Sequence, residues 1–375
     1  MIDAITIEGY KSIKAQEVKL SPINILIGGN GIGKTNFISA FELIRDIYEQ
    51  QLQNHVLRKG GANCLLYNGK KYTDRITVDL LFTHDHSKNR YIVVLEESQD
   101  RLFVKEAKTA FLSGAVWHIQ TCDTNKEEAS IKQDRCGQAW YVGPLLEQFE
   151  IYHFHDTGDK SPMKDFAPLH DNVRLKRDGS NIAPYLYLLK QKYLKHYLRI
   201  EKMVASVSPF FDSFVLEPNR LNPNTIRLEW KQKDVPDMTF NAYQLSDGSL
   251  RFICLAALLM QPEPPQTILI DEPELGLHPL AINKLCAMLK KVSSSSQIIV
   301  STQSVNLVDN FAPEDIIVAD RKGNETVFCR LDGKDLEEWL KDYSMGELWE
   351  KNLVGGQHPD RELALWKKET DWFLS

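Results

Sequence analysis

The sequence predicts an α/β chain whose parallel sheet, covered on both faces, carries an inserted antiparallel and helical section. Three observations predict it. Uninterrupted apolar runs at 23–27, 267–270 and 297–300 read as strands buried on both sides, and helical periodicity follows the first two. Strict alternation between about Tyr72 and Trp140, punctuated by Asn, Asp, Gly and Lys turns, reads as an antiparallel sheet. Finally, 375 residues with 43% hydrophobic and 26% charged content suffice for two average domains or one large mixed domain with an insertion, and exclude disordered, collagen-like and disulfide-scaffold classes.

In chain order, Ile2, Ile5 and Ile7 mark a strand near a turn at Gly9, and the run 23–27 ends in glycines. Phe37, Ile38, Phe41, Leu43, Ile44 and Ile47 recur at helical spacing across 35–50, before a polar stretch that closes at Gly60 and Gly61. The sheet follows, with clear alternation at 76–80 and 91–95. A loop with Pro162, Pro168 and Gly179 leads to the cap Ser180-Asn181 and one helix over 182–204. Strands are predicted at 214–216 and 225–230, helices at 250–260 and 280–292. The resulting division is a core from 1–60 and 238–330, an insertion at 61–237, and an acidic, tryptophan-rich C-terminal segment at 331–375.

Charge and composition narrow the partners. The net charge of −6 argues against a generally basic nucleic-acid binder, yet 160–205 holds ten Lys or Arg against four acidic residues, while 331–375 holds six against eleven. A local contact with DNA therefore stays open. The longest apolar run, 252–260, is far short of a membrane span, and the N-terminus lacks a secretion signal, so a cytoplasmic chain without a membrane partner is expected. Cys64, Cys122, Cys136, Cys254, Cys286 and Cys329 are scattered, with no spacing for zinc or a redox pair.

The chemistry-bearing residues fall in four places. Gly28, Gly29, Asn30, Gly31, Ile32, Gly33, Lys34 and Thr35 fit G-x-x-x-x-G-K-[ST] between a strand and a helix, the context a phosphate loop requires. Glycines let backbone N–H groups converge on phosphate oxygens, Lys34 bridges the β and γ phosphates, and Thr35 offers its hydroxyl to Mg²⁺. The strand 267–270 delivers Asp271 as a metal-shell carboxylate and Glu272 as the group that polarises the attacking water. Ser246, Asp247 and Gly248 open an apolar helix and form a second anion site. Since one ATP needs one phosphate loop, that second site is expected to serve a nucleotide held by another protomer. Gln303, just past the strand 297–300, stands where a γ-phosphate sensor would sit.

With these motifs in this order (GGNGIGKTN, LSDGSLR, ILIDEPELGLHP, STQS), the chain resembles the ATP-binding-cassette superclass of ATPase heads: RecF, the structural-maintenance-of-chromosomes proteins and, above all, AAA-family ATPases of the overcoming-lysogenization-defect type. The opening GYKSI segment is similar too, and the adenine is expected near Tyr10 to Lys14. YHFHDT at 152–157 and GELWEKNLVGG at 346–356 look similar to stretches of compact bacterial ATPases, some encoded beside a small partner gene. The resemblance implies a P-loop NTPase fold of the ABC-type head, ATP and Mg²⁺ as cofactors, and Asn36 as a further ATP contact. It also implies a homodimer or higher oligomer that hydrolyses ATP slowly and switches a separate effector from a neighbouring gene in anti-phage defence. A RecF-like repair ATPase and an ATP-holding scaffold without turnover are the alternatives. Gln303 replaces the usual His and cannot become cationic, which implies slow hydrolysis. The stretch after Ser304 is too short for a Toprim nuclease, and no long heptad array separates the motifs.

Weaker signals have ordinary explanations. His84 with His86, and His153 with His155, share a strand face, but neither pair has an evident third ligand, so ordinary hydrogen-bonded histidines are expected. Tyr185, Tyr187, Tyr193 and Tyr197 interleave with Lys190, Lys192, Lys195 and Arg199, a composition suited to nucleic-acid stacking and equally to amphipathic cover. Trp339, Trp349, Trp366 and Trp372 fit a docking surface or a packed C-terminal helix.

Overall fold

Alternating burial builds the first sheet. In the computed structural model, which describes residues 1–84, 87–133 and 137–356, the chain divides into two units: Met1–Phe149 with Ser301–Ser375, and Glu150–Val300. The first unit opens with β1 (Ile2–Tyr10) and β2 (Ile13–Lys19), then β3 (Ile23–Ile27), α1 (Lys34–Tyr48) and α2 (Leu52–Arg58). Next come β4 (Arg75–His84), β5 (Ser87–Ser98), β6 (Arg101–Ser113), β7 (Val116–Lys126) and α3 (Ala139–Glu147). The sheet order is β2-β1-β4-β5-β6-β7, antiparallel throughout. Ile76, Val78, Leu80 and Phe82 of β4 and Tyr91, Val93 and Leu95 of β5 face the core, while Asp79 on the opposite face pairs with Arg90. The apolar stripe of α1 is buried as expected, Phe37 meeting Phe41 edge-on at 5.5 Å, and the Glu128 carboxylate caps α2 by accepting from Leu52 and Gln53 N–H.

The second unit holds β8 (Phe149–Tyr152), β9 (Ala167–Pro168), α4 (Ile182–Lys192), α5 (Leu194–Val207), β10 (Phe211–Val215), β11 (Thr225–Ile226) and β12 (Glu229–Gln232). It continues with β13 (Val235–Asn241), α6 (Asp247–Leu259), β14 (Thr267–Asp271), α7 (Pro279–Val292) and β15 (Gln297–Thr302). Strands β15, β14 and β8 lie side by side in that order, and β10, β12 and β13 form a separate antiparallel sheet around Phe211, Phe214, Trp230 and Phe240. Every residue of α6 from Leu250 to Leu259 is buried, because α4, α5 and α7 all pack on it.

Two elements differ from the sequence expectation: the strand predicted over 225–230 is divided between β11, paired with β9, and β12, in the sheet with β10 and β13. The single helix over 182–204 is two helices, broken at Tyr193, whose φ of −130° and ψ of 49° leave the helical region. Tyr185 and Tyr197 lie on the two sides of the break and both are buried, their hydroxyls donating to Gln261 Oε1 and Glu201 Oε1 at 2.6 Å each. These two rings are packing groups, unavailable for stacking on a base.

The chain returns to the first unit with α8 (Val305–Val308), β16 (Ile316–Lys322), β17 (Glu325–Arg330), α9 (Gly333–Leu336) and α10 (Met345–Glu350). β16 lies between β17, antiparallel, and β3, parallel, with Ile25, Leu26 and Ile27 opposite Ile316, Ile317 and Val318. Among the described residues no helix is long and apolar enough to cross a membrane.

Candidate nucleotide site

The apolar strand β3 runs straight into the glycine loop, so sheet pairing fixes where that loop begins. Gly33 has φ +121°, and a Cβ there would stand 2.3 Å from Thr326 Oγ1. Gly31, at φ +73°, faces open space, with nothing within 4 Å of the position a Cβ would take. Lys34 is buried at 5% exposure, and its ammonium is drawn over the loop by the carbonyls of Gly28 (2.5 Å) and Gly29 (3.0 Å). Asn30 and Thr35 are exposed, the latter at the N-terminus of the 15-residue α1.

The loop is braced from three sides within its own unit. Asn36 Nδ2 donates to Ser12 Oγ at 2.7 Å, and Thr326 Oγ1 lies 2.7 Å from Ser12 Oγ and 2.6 Å from the Ile32 carbonyl. At the tip of the β1–β2 hairpin, Lys11 Nζ donates to Ser39 Oγ at 2.9 Å, and the buried Tyr10 hydroxyl lies 3.0 Å from the same atom. Burial pushes the Tyr10 phenol well above its ordinary range and the Lys11 ammonium below its own. From the other end of the chain, the Gly356 carbonyl accepts the Gly29 N–H at 2.6 Å. Gln303 is exposed, and Ser304 after it caps α8 by accepting the Leu307 N–H.

The second unit carries the carboxylates and the signature. Asp271 ends β14, and Glu272 adopts φ +42°, a left-handed backbone that a residue other than glycine rarely takes. Both carboxylates are half-buried. Next to them stands His155, on the segment leaving β8: burial pushes its imidazole below the usual range, Asp271 and Glu272 pull it back up, and Arg251 and His153 oppose them. Arg251, 4% exposed on α6, donates to the carbonyls of Phe154 (2.8 Å) and His155 (3.3 Å). Ser246 is the N-cap of α6, accepting Ser249 N–H at 3.1 Å, and Gly248 abuts the turn after the carboxylates so closely that a Cβ would meet Gly276 O at 2.3 Å.

The structure thus gathers 28–36 with Ser12 and Thr326 in one unit, and Asp271, Glu272 and the Ser246–Gly248 turn's neighbour Gly276 in the other. Sequence reasoning missed Thr326, which carries no local motif, and undervalued Gly356, His155 and Arg251 although all three lie inside stretches it quoted. The ring centroids of His153 and His155 are 6.2 Å apart, and among the described residues no group of three metal-binding side chains forms. His86 and the His84 side chain lie outside the described residues, as do Cys136, Trp366 and Trp372. Trp349 is buried and Trp339 is 44% exposed. The residues fit the groups the sequence implies: a loop open at Gly31 with a cation folded over it suits a triphosphate, and Thr35 in the first unit and Asp271 in the second each offer a hard oxygen of the kind Mg²⁺ takes.

Comparison with known proteins agrees with this architecture. The chain is 22% identical to the Old nuclease of Escherichia phage P2 over 395 residues, which is 91% of this chain and 63% of that protein. The chain therefore spans less than two thirds of that relative. It is 35% identical over 101 residues to structural maintenance of chromosomes protein 3 of Arabidopsis thaliana, which is 26% of this chain and 8% of that one. Among solved structures, an SMC head bound to the C-terminal winged-helix domain of ScpA superposes with a TM-score of 0.58 at 16% identity, over 91% of this chain and 99% of that one. An Smc head with an extended coiled coil, bound to the C-terminal domain of ScpA derived from Pyrococcus furiosus, gives 0.55 at 14% identity, over 91% and 98%. The fold is thus that of an SMC-type ATPase head, a P-loop NTPase. A family described as "AAA domain, putative AbiEii toxin, Type IV TA system" matches residues 150–309. The AAA ATPase domain family matches residues 1–204, more than half of the chain and including the braced glycine loop, and the chain belongs to that family.

Proposed function

We propose that this chain is a Mg²⁺-dependent ATPase that dimerises with ATP at the interface and switches a separate effector. One observation carries the reading: a single chain holds a fully braced phosphate loop and, in its other unit, a second capped helix N-terminus at Ser246–Gly248 packed on the turn that follows the catalytic-type carboxylates. In the proposed assembly, backbone N–H groups of 28–36 and the Lys34 ammonium hold the phosphates, Thr35 and Asp271 hold the metal, and Ser246 with Gly248 closes the γ-phosphate of the opposite protomer. The metal, when bound, neutralises phosphate charge. Glu272 accepts the proton of the attacking water, its strained backbone aiming the carboxylate, and Gln303 donates a hydrogen bond to the γ-phosphate. A Gln at that position stays neutral, so turnover is slow.

Two observations support the switch role. The similarity to the Old nuclease, a phage protein, supports a reading in phage–host conflict, and the SMC heads solved bound to ScpA domains support a reading in which the head carries a partner protein. In this reading the chain works in the cytoplasm in antiviral defence and offers a surface to its effector. The basic segment 160–205 favours DNA binding as a second reading, which salt-dependent affinity for duplex DNA would reveal. The dimer is tested by sedimentation of Glu272→Gln with Mg²⁺: a dimer with ATP and a monomer with ADP is expected. A monomer under both conditions would remove the proposal.

A further inference from the structure

Lys164 is a lysine whose stem the protein buries and whose charge it holds loosely. It is 4% exposed, in the loop between β8 and β9, where its backbone N–H donates to the Ser161 carbonyl at 3.0 Å. Its Nζ lies 5.8 Å from the centroid of the Tyr243 ring, and the Tyr243 hydroxyl is itself held by Asp165 Oδ1 at 3.1 Å. The charged partner is Asp247, at 3.9 Å, a separation beyond hydrogen-bond reach, and the Asp247 side chain is 65% exposed. Asp247 is the first residue of α6, and Ser246 before it forms the cap, its hydroxyl donating to Ser249 Oγ at 2.8 Å.

Ordering and desolvating a lysine costs free energy that a structural role recovers through short bonds to a carboxylate or carbonyl. Among the described residues Lys164 makes no such short bond with its ammonium, whose ion pair with Asp247 stands at 3.9 Å. Instead the packed stem and the Tyr243 ring hold an ammonium with unused donors beside the positive end of a 13-residue helix. Two like-signed features converge there, and the carboxylate that pairs with the ammonium, Asp247, faces solvent, while Asp165 is engaged by the Tyr243 hydroxyl. That arrangement suits a more highly charged anion than a carboxylate, one able to displace Asp247.

We propose that Lys164 is the second arm of the signature site. Its ammonium takes the terminal phosphate of a nucleoside triphosphate held by a second copy of this chain, and Asp247 keeps the ammonium in place until that phosphate arrives. The inference rests on the dimer reading above and adds a residue to it. A nucleoside diphosphate lacks the group that would displace Asp247, so Lys164 responds to the presence of the γ-phosphate.

The test follows ATP-driven association in the Glu272→Gln background by sedimentation, each variant at ATP saturating for that variant and first shown to be folded by its thermal unfolding. Lys164→Gln is expected to weaken association at least tenfold, and Lys164→Arg to recover most of it. Asp247→Asn is expected to associate at least as tightly as its parent, because the ammonium loses its competitor. If Asp247→Asn falls together with Lys164→Gln, the lysine merely anchors Asp247 and the proposal is overturned. Equal association of Lys164→Gln and its parent overturns it while leaving the dimer standing, whereas a parent that stays monomeric removes both. Should Lys164→Gln fail to fold, the sign of the Asp247→Asn effect decides alone.

Discussion

Lys34 and Glu272 put the proposal on two measurable footings. The Lys34 ammonium already spans two loop carbonyls, and in the proposed complex it exchanges them for phosphate oxygens at a buried site. Charged hydrogen bonds contribute about 1.5–3 kcal/mol each. Lys34→Ala should therefore lower ATP affinity by about 100-fold or more in calorimetry with Mg²⁺, and equal affinity would show that 28–35 is not the nucleotide site. Glu272→Gln keeps the backbone and removes the base, so turnover in a phosphate-release assay should fall by about 100-fold or more while ATP stays bound. Hydrolysis at the wild-type rate would move the role to Asp271 or Glu274. These two residues were legible in the sequence because each sits in a motif of a few consecutive positions. Thr326 and Gly356 were not, since a long chain separation lies between them and the loop, and only the pairing of β16 with β3 and the course of the chain after α10 bring them to it.

The elements show the same contrast between local and tertiary information. Periodicity placed α1, α6, α7, β3, β14 and β15 to within a few residues, because each buries a continuous apolar face whose spacing is written in the sequence. The break at Tyr193 was invisible to periodicity: Leu189, Tyr193 and Tyr197 keep helical spacing across it. Close approach between elements gives a prediction. Gly248 touches the Gly276 carbonyl, so the Cβ of Gly248→Ala must push the start of α6 away from the turn after Glu272. Overpacking of this kind costs about 1–3 kcal/mol, so thermal unfolding should shift down by several degrees and ATPase activity should fall with it. An unchanged midpoint with unchanged turnover would contradict the contact. Arg251→Met tests the other tie to α6. It leaves the Phe154 and His155 carbonyls without their donor at a buried position, and urea unfolding should show a loss of about 2–4 kcal/mol.

At the scale of the whole molecule the claim is that each ATP site is built from two chains, one supplying 28–36 and the other Ser246–Gly248. Mixing two inactive variants tests it most directly. Ser246→Arg keeps its own phosphate loop but cannot close the site opposite, and Lys34→Ala keeps its signature but cannot hold ATP. A heterodimer of the two has one complete site, whereas neither homodimer has any. With subunit exchange confirmed by tagged pull-down, the mixture is expected to regain part of the ATPase activity that each variant lacks alone. Full activity of Ser246→Arg by itself would contradict the shared site.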